Sequence, residues 1–359
     1  MLPAGAWSWA RASVAGHSTA SSHGIAWRMS RSTEVYTLPG ALILRAPMEP
    51  PTTAAPVTRS GYVALLGRPN AGKSTLLNAL VGEPISIVTP APETTRDRVL
   101  AVITRPLGLP SQLVIVDTPG VHKAHRKLGE YMNAEARSAA ESADVVVVVV
   151  DATEGTNRDD NVFAVLEGID KPVFLAVNKV DRVRPRQALL PVLEAFAKKR
   201  PFEAIVPISA LNEDGVDRLT RLLAEAVPPG PALFPEDTLT DRPERFFVAE
   251  RIREAVIAET GAEVPYVTAI EIESFDERPA IPRIRAAIHV ERAGQKKIVI
   301  GAGGARIKAV GSRARESIEK LLGKQVFLEL VVQVTPDWTR NAEALQGFGY
   351  ATPPKEEDQ

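Results

Sequence analysis

The sequence predicts an α/β domain with a mostly parallel six-stranded sheet and helices on both faces, followed by a smaller α+β domain. Three observations carry this expectation. Apolar runs of strand length alternate with helix-length segments from about residue 60 to residue 226, the pattern that crossover connections impose on parallel strands. One such run, Val145–Val150, is valine throughout. It suits a strand buried on both faces and is far too short to cross a bilayer. After the proline-rich break "VPPGPALFPED", 227–237, the order changes to helix, two alternating strands, two helices and a strand,.

The first 58 residues stand apart from both domains. They are rich in Ser, Ala, Pro and Thr, and up to Leu44 they hold Arg11, Arg28 and Arg31 against Glu34 alone. A disordered extension is expected for 1–58, with Met48 as an alternative start. An acid-poor organellar leader is the competing reading. The chain has no cysteine, which excludes disulfides, thiolate metal sites and cysteine nucleophiles.

The α/β domain is expected over 59–228. Tyr62–Leu66 reads as a strand feeding "GRPNAGKST", and "STLLNALVG" as a helix with Leu76, Leu77 and Leu80 on one side, stopped at Gly82,. Strands at 98–104 and 112–116, a polar Ala-rich helix at 126–142 and the strand 144–150 follow. A helix at 161–168, a strand at 172–177, a helix at 187–198, a strand at 204–208 and a helix at 216–226 complete the domain. A linker is placed at 229–243 and the second domain at 244–337. That domain opens with an amphipathic helix, 244–259, whose Phe247, Val248, Ile252, Val256 and Ile257 share helical spacing,. Strands at 266–275 and 283–292, helices at 295–300 and 305–322, and a strand at 326–334 complete it, with 338–359 as a C-terminal tail.

Gly67, Arg68, Pro69, Asn70, Ala71, Gly72, Lys73 and Ser74, with Thr75 behind them, satisfy G-x-x-x-x-G-K-[ST] between a strand and a helix. In that setting backbone N–H groups cradle phosphates, Lys73 reaches the β- and γ-phosphates and the Ser74 hydroxyl ligates Mg²⁺. "VIVDTPG" ends an apolar strand at Asp117, then runs through Thr118 and Pro119 to Gly120. The carboxylate there suits Mg²⁺, and the Gly120 N–H suits the γ-phosphate. "NKVD" ends another parallel strand, where open α/β sheets bind ligands,. Its Asp181 can accept two hydrogen bonds from guanine, a donor pair that adenine lacks. Asn178 is expected to support the base, and the Lys179 stem to pack on its face. In "SAL", Ser209, Ala210 and Leu211, the Ala210 N–H is expected on guanine O6. "PETTRD" lies between these motifs, and Thr95, with Thr94 as the alternative, is expected on Mg²⁺ while a γ-phosphate is present. Lys73, Thr95 and Gly120 are therefore the expected catalytic set. Val121 occupies the place where a glutamine could orient water,.

The second domain carries a local charge. Between Arg283 and Gln325 eleven basic residues face three acidic ones, a net +8, so the rest of the chain carries −9 to reach the formal −1. Such a basic segment suits a polyanion. Gly301, Ala302, Gly303 and Gly304 fall between its two helices. A GXXG loop in this element order resembles a type II KH domain, whose loop clamps the backbone of single-stranded RNA. Lys296, Lys297, Arg306, Lys308, Arg313 and Arg315 would supply charge, and Ile298, Ile300 and Ile307 an apolar floor,. A helix–turn–helix with a solvated basic face is the alternative.

The motif set of the first domain is similar to that of the translation-factor class of P-loop GTPases. A GTPase domain with a C-terminal KH domain resembles the Era family. The likeness runs over 60–350 and is sharpest in "GRPNAGKSTLLNAL", "DTPGVHK", "VPISAL", "FPEDTLTDRPERF" and "VERAGQKKIVIG". The chain departs from the family pattern at Gly303, where a lysine is common. The resemblance implies a bacterial, Mg²⁺-dependent, monomeric GTPase that binds GTP and GDP. It also implies binding of 16S rRNA near its 3′ end and assistance to assembly of pre-30S particles. Peripheral association of a cytoplasmic protein with the inner membrane is a further implication. Similar GTPases with asparagine at the Asn70 position use it to help bind K⁺. The competing function is a GTP-dependent RNA-binding adaptor linking growth to division, with incidental hydrolysis.

Overall fold

The computed structural model describes residues 36–38, 41–43, 56–89, 95–122, 127–261 and 263–350. The expected 1–58 extension lies outside these residues, apart from 56–58 and an antiparallel pair, β1 (Tyr36–Leu38) and β2 (Ala41–Ile43). Thr94 also lies outside the described residues.

The first domain is built on β3 (Arg59–Leu66), β4 (Val99–Thr104), β5 (Ser111–Asp117), β6 (Val145–Asp151), β7 (Val173–Asn178) and β8 (Ala204–Pro207). Their order across the sheet is β4-β5-β3-β6-β7-β8, and only the β4–β5 pair is antiparallel. Helices α1 (Lys73–Val81), α2 (Lys127–Ser142), α3 (Asp160–Val165), α4 (Leu189–Ala197) and α5 (Val216–Ala226) cover it. Alternate valines of β6 enter opposite cores. Val145, Val147 and Val149 pack with α1 and α5, whereas Val146, Val148 and Val150 pack with Ala136, Val162 and Phe196 of α2, α3 and α4. A strand walled on both sides needs apolar residues at every position, which explains the unbroken valine run.

Residues 229–243 cover the edge of this sheet. Gln112 donates to Phe234 O and accepts from the Leu233 and Phe234 N–H groups. The Val102 N–H donates to Leu239 O. Unpaired groups along β4 are thereby satisfied.

The second domain packs α6 (Glu244–Glu259), α7 (Ala293–Ile300) and α8 (Ala305–Leu322) on a three-stranded sheet. The strands are β9 (Ala269–Asp276), β10 (Arg283–Val290) and β11 (Phe327–Val334), in the order β11-β10-β9, with β10–β11 parallel and β9–β10 antiparallel. The first expected strand starts later than 266 because Val264–Val267 form a 3₁₀ turn containing Pro265.

The start of the expected C-terminal tail is ordered structure. Trp338–Arg340 form a 3₁₀ turn and α9 spans Ala342–Gly347. Trp338, Leu345 and Tyr350 are buried with Leu128, Tyr131 and Met132 of α2 and Ala269 of β9. The physical reason is apolar surface on α2 beyond what the sheet can cover. Trp338 stacks with Tyr350 at 6.0 Å, and Tyr350 meets Tyr131 edge-on at 6.0 Å, a geometry that adds to simple area burial.

Candidate nucleotide site and nucleic-acid interface

The loop between β3 and α1 borders a cleft of about 540 Å³ at the carboxyl ends of β3, β5 and β7. Two glycines are fixed by close approach. Gly72 has φ +99, and a Cβ there would run into the Asn178 side-chain amide. A Cβ on Gly120 would meet Pro69 N at 2.6 Å. Both contacts seat one motif directly on another.

Lys73 Nζ is buried and donates to Gly67 O at 3.0 Å and Arg68 O at 3.1 Å. Burial lowers its pKa to about 8, with nearby Asp117 opposing the shift. Asp117 is fully buried, and burial pushes its carboxyl above the usual range against the pull of Lys73, Ser74 and Ser86. Ser74 Oγ donates to Asp117 Oδ2 at 2.8 Å and lies 2.8 Å from Thr95 Oγ1. Ser86 Oγ adds a bond to the same carboxylate oxygen at 3.1 Å.

This donor set fits Mg²⁺. Two hydroxyls and a carboxylate converge, and Asp117 Oδ1 is buried without a hydrogen-bond partner in the structure. Among the described residues no cluster of three His, Cys, Asp or Glu side chains could hold a metal. A site completed by water and nucleotide phosphates is the arrangement Mg²⁺ favours over an all-protein cage. Ser74, Thr95 and Asp117 would hold the ion, which when bound neutralises charge on the β- and γ-phosphates.

The turn expected to bind the base is braced rather than loose. Asn178 Nδ2 donates to Ala71 O at 2.9 Å. Lys179 Nζ donates to Asn70 O and to Asp151 Oδ2, both at 2.6 Å. Ser209 Oγ donates to Asp181 Oδ1 at 2.7 Å, which orients that carboxylate. Leu211 and Thr75 line the cleft with Asn70, Asp181 and Gly120.

Several expected contacts change. The Ala210 N–H donates to Asn178 Oδ1 at 2.9 Å instead of facing the base, because Asn178 needs that donor to bridge two loops. The Arg68 side chain turns from the phosphates to Asp159 and Glu154. Thr118 Oγ1 donates to Leu65 O at 2.6 Å, so it holds β5 to β3. Val121 is buried among Leu66, Ala136 and Val148, and its N–H donates to Gly67 O at 3.1 Å. Its side chain therefore faces the core, away from any attacking water. Sequence reasoning missed Asp151, Ser86 and Asp159. Only Asp151 left a trace, as the carboxylate that ends the valine strand.

In the second domain Gly301–Gly304 form an exposed turn between α7 and α8, with Gly303 at φ +56 and open space around its missing Cβ. Lys297, Lys308 and Arg315 are exposed, and Lys296 is half-buried. No acidic side chain among the described residues lies within ion-pair reach of these four. Arg306 instead caps α7 by donating to Ile298 O, and Arg313 Nε pairs with Glu259 Oε1 at 2.8 Å on α6. Arg313 thus belongs to the α6–α8 seam. Ile298 is exposed beside the loop, whereas Ile307 packs into the core.

The two domains share a polar seam. Arg96, next to Thr95, is almost wholly buried. It donates to Thr268 O at 2.5 Å and Pro265 O at 2.8 Å, and its guanidinium lies 5.6 Å from the Trp338 ring centroid. Asp97 Oδ1 accepts from Tyr131 Oη at 2.9 Å.

Residues 62–179 match the family described as 50S ribosome-binding GTPase, and residues 263–339 match the KH domain family. GTPase Era of Xanthomonas oryzae is 47% identical over 293 residues, covering 81% of this chain and 97% of that protein. GTPase Era of Geotalea uraniireducens is 46% identical over 294 residues, covering 81% and 98%. An Aquifex aeolicus Era variant bound to GDP·AlF₄⁻ superposes with a TM-score of 0.77 at 40% identity, covering 82% of this chain and 99% of that one. Another Era structure, in complex with MgGDPNP and nucleotides 1506–1542 of 16S ribosomal RNA, has the same score, identity and coverage. With a GTP-hydrolysing domain, a KH domain and relatives matched along nearly their whole length, this chain belongs to the Era family of GTPases.

Proposed function

We propose that the chain is a Mg²⁺-dependent guanine-nucleotide switch that grips the 3′ region of 16S rRNA through its KH loop during maturation of pre-30S particles. The supporting observation is that Thr95 and Arg96 are consecutive. Thr95 Oγ1 stands 2.8 Å from Ser74 Oγ, while Arg96 is bonded to carbonyls of the KH domain. Loss of the γ-phosphate loosens Thr95 and is felt one peptide away at the RNA-binding domain.

In hydrolysis Lys73 and the Gly120 N–H balance charge on the transferred phosphoryl group, and Asp181 fixes the base. Val121 supplies no polar group, so turnover depends on something else. Asn70 at the cleft rim holds K⁺ in that role. Equal turnover in KCl and NaCl would remove this assignment. The protein works as a cytoplasmic monomer, and its basic KH face is the surface that meets the inner membrane peripherally.

The test is binding of a 16S rRNA 3′ fragment in the presence of a GTP analogue or GDP. A marked preference for one state is expected. Equal affinity in both states would refute the switch. The burial of Val121 favours a second reading, an RNA-binding adaptor with incidental hydrolysis. Asp117→Ala separates the two: it blocks subunit maturation in a switch, and leaves maturation unaffected in an adaptor.

A further inference from the structure

The segment that follows β6 joins two parts of the nucleotide cleft. Asp151, the last residue of the strand, accepts from Lys179 of the base-binding turn at 2.6 Å. Eight residues on, Asp159 Oδ1 accepts from Arg68 Nε of the phosphate loop at 2.9 Å, and Glu154 takes the other arm of the guanidinium. Glu154 is also 3.6 Å from Arg158. The Asp159 side chain is 2% exposed and that of Arg68 20%, so this pair is shielded from solvent and salt more than a surface bridge. Lys179 closes a ring by donating to Asn70 O, two residues beyond Arg68.

The ring runs Arg68, Asp159, the turn back to Asp151, Lys179 and Asn70. Apart from Arg68, the phosphate loop meets the base turn through hydrogen bonds at Asn70 O and Ala71 O and the close approach of Gly72 to Asn178. With it, the loop is held on two sides, and Arg68 O is fixed as an acceptor for Lys73.

We propose that Arg68 is a positioning residue: through Asp159 and Glu154 it locks the phosphate loop in register with the base-binding turn, so that one nucleotide satisfies both at once. Guanine discrimination is then set partly by a residue that touches neither base nor phosphate with its side chain. A nucleotide seated on a misplaced phosphate loop presents its base to Asp181 at the wrong distance. The contact to the guanine 2-amino group is lost before the phosphate contacts are.

The proposal rests on guanine binding to Asp181, and the experiment separates the two. Affinities of the nucleotide-free full chain are measured for GDP and for IDP, which lacks the 2-amino group. One hydrogen bond to a carboxylate makes the wild-type preference for GDP on the order of 10–100-fold. No wild-type preference would overturn the base reading itself. In Arg68→Met, GDP affinity should fall about ten-fold and IDP affinity about two-fold, less than the full cost of breaking a shielded ion pair because the pair acts on the nucleotide only through the loop it positions. Asp159→Asn, which keeps shape and tests the same contact, should shrink the GDP:IDP ratio likewise. The double variant should add little to either, and Arg68→Lys should recover part of the ratio. Equal loss for both nucleotides, with the ratio unchanged, would overturn the proposal and leave Arg68 a purely structural residue. If Arg68→Met does not fold, the ratio in Asp159→Asn decides.

Discussion

Replacing Arg96 by methionine tests the seam between the domains. The side chain donates to two KH-domain carbonyls, Thr268 O at 2.5 Å and Pro265 O at 2.8 Å, and faces Trp338. Thr268 and Pro265 are both buried, so water cannot replace the lost donors. Each stranded acceptor costs about 1–3 kcal/mol, which gives about 2–6 kcal/mol for the pair. Methionine keeps apolar contact with Trp338 and removes the cost of burying a guanidinium. The net expectation is a loss of about 2–3 kcal/mol. At about 2–4 °C per kcal/mol for a chain of this class, the melting transition should fall by roughly 4–12 °C. Calorimetry is the appropriate assay, because a weakened seam should also split one transition into two. Arg98→Met is the control. That side chain is 56% exposed and only 4.0 Å from Glu135, so its replacement should cost less than about 0.5 kcal/mol. Equal shifts for the two variants, without splitting, would refute the argument that Arg96 ties the domains together.

Asp97→Asn should raise the melting temperature at pH 7. Burial pushes the Asp97 carboxyl up to about 6, with the Tyr131 hydrogen bond, Arg242 and Arg253 opposing and Glu250 reinforcing. A folded-state value above the unfolded one means that this group makes stability fall as pH rises from about 4 to about 6. Asparagine should flatten that slope, and an unchanged slope would contradict the assignment. Lys73 has the opposite kind of shift. With its pKa near 8, the nucleotide-free protein loses this proton above pH 8, whereas bound phosphate favours the charged form. GDP affinity should therefore hold from pH 7 to 8 and then fall, by at most about ten-fold per pH unit. Isothermal titration from pH 7 to 9 checks this, and a flat profile counts against it. In the KH domain, Lys297→Ala should weaken single-stranded RNA binding and reduce the salt slope by about 0.7. Arg313→Ala should leave the slope in place, because Arg313 is paired with Glu259.

The sequence exposes whatever depends on neighbours along the chain. The glycine loop, the strand-ending Asp117 and Asn178, and the α-β-β-α-α-β order are local patterns, and each motif occupies its expected strand end. Contacts that close between distant segments leave no such mark. Arg96 reads as one polar residue in a polar loop, and its buried partners lie about 170 to 240 residues downstream. The same holds for Asp159, which looks like a solvated acid in "TNRDD". On α6 the expected apolar face is buried, but so are Arg251 and Arg253. Helical spacing describes one buried face, and this helix is enclosed on a second side by the α/β domain. Arg251 donates to Pro84 O there at 2.6 Å. Arg306 and Arg313 count equally with the exposed lysines in the basic segment, because composition cannot tell a helix cap or an ion pair from a solvated cation.

The aromatic residues near the carboxyl end set an order of events in biosynthesis. Helix α2 ends at Ser142, but Leu128, Tyr131 and Met132 on its outer face are covered by Trp338, Leu345 and Tyr350. About 200 residues must be made between the helix and its cover. At roughly 5–20 residues per second that takes on the order of 10–40 s. Once residue 226 has been made the α/β domain has its sheet and phosphate loop, while the helix leading out of "DTPG" still has one wall missing. The nucleotide domain is thus begun early in translation and finished only when Tyr350 has cleared the ribosome.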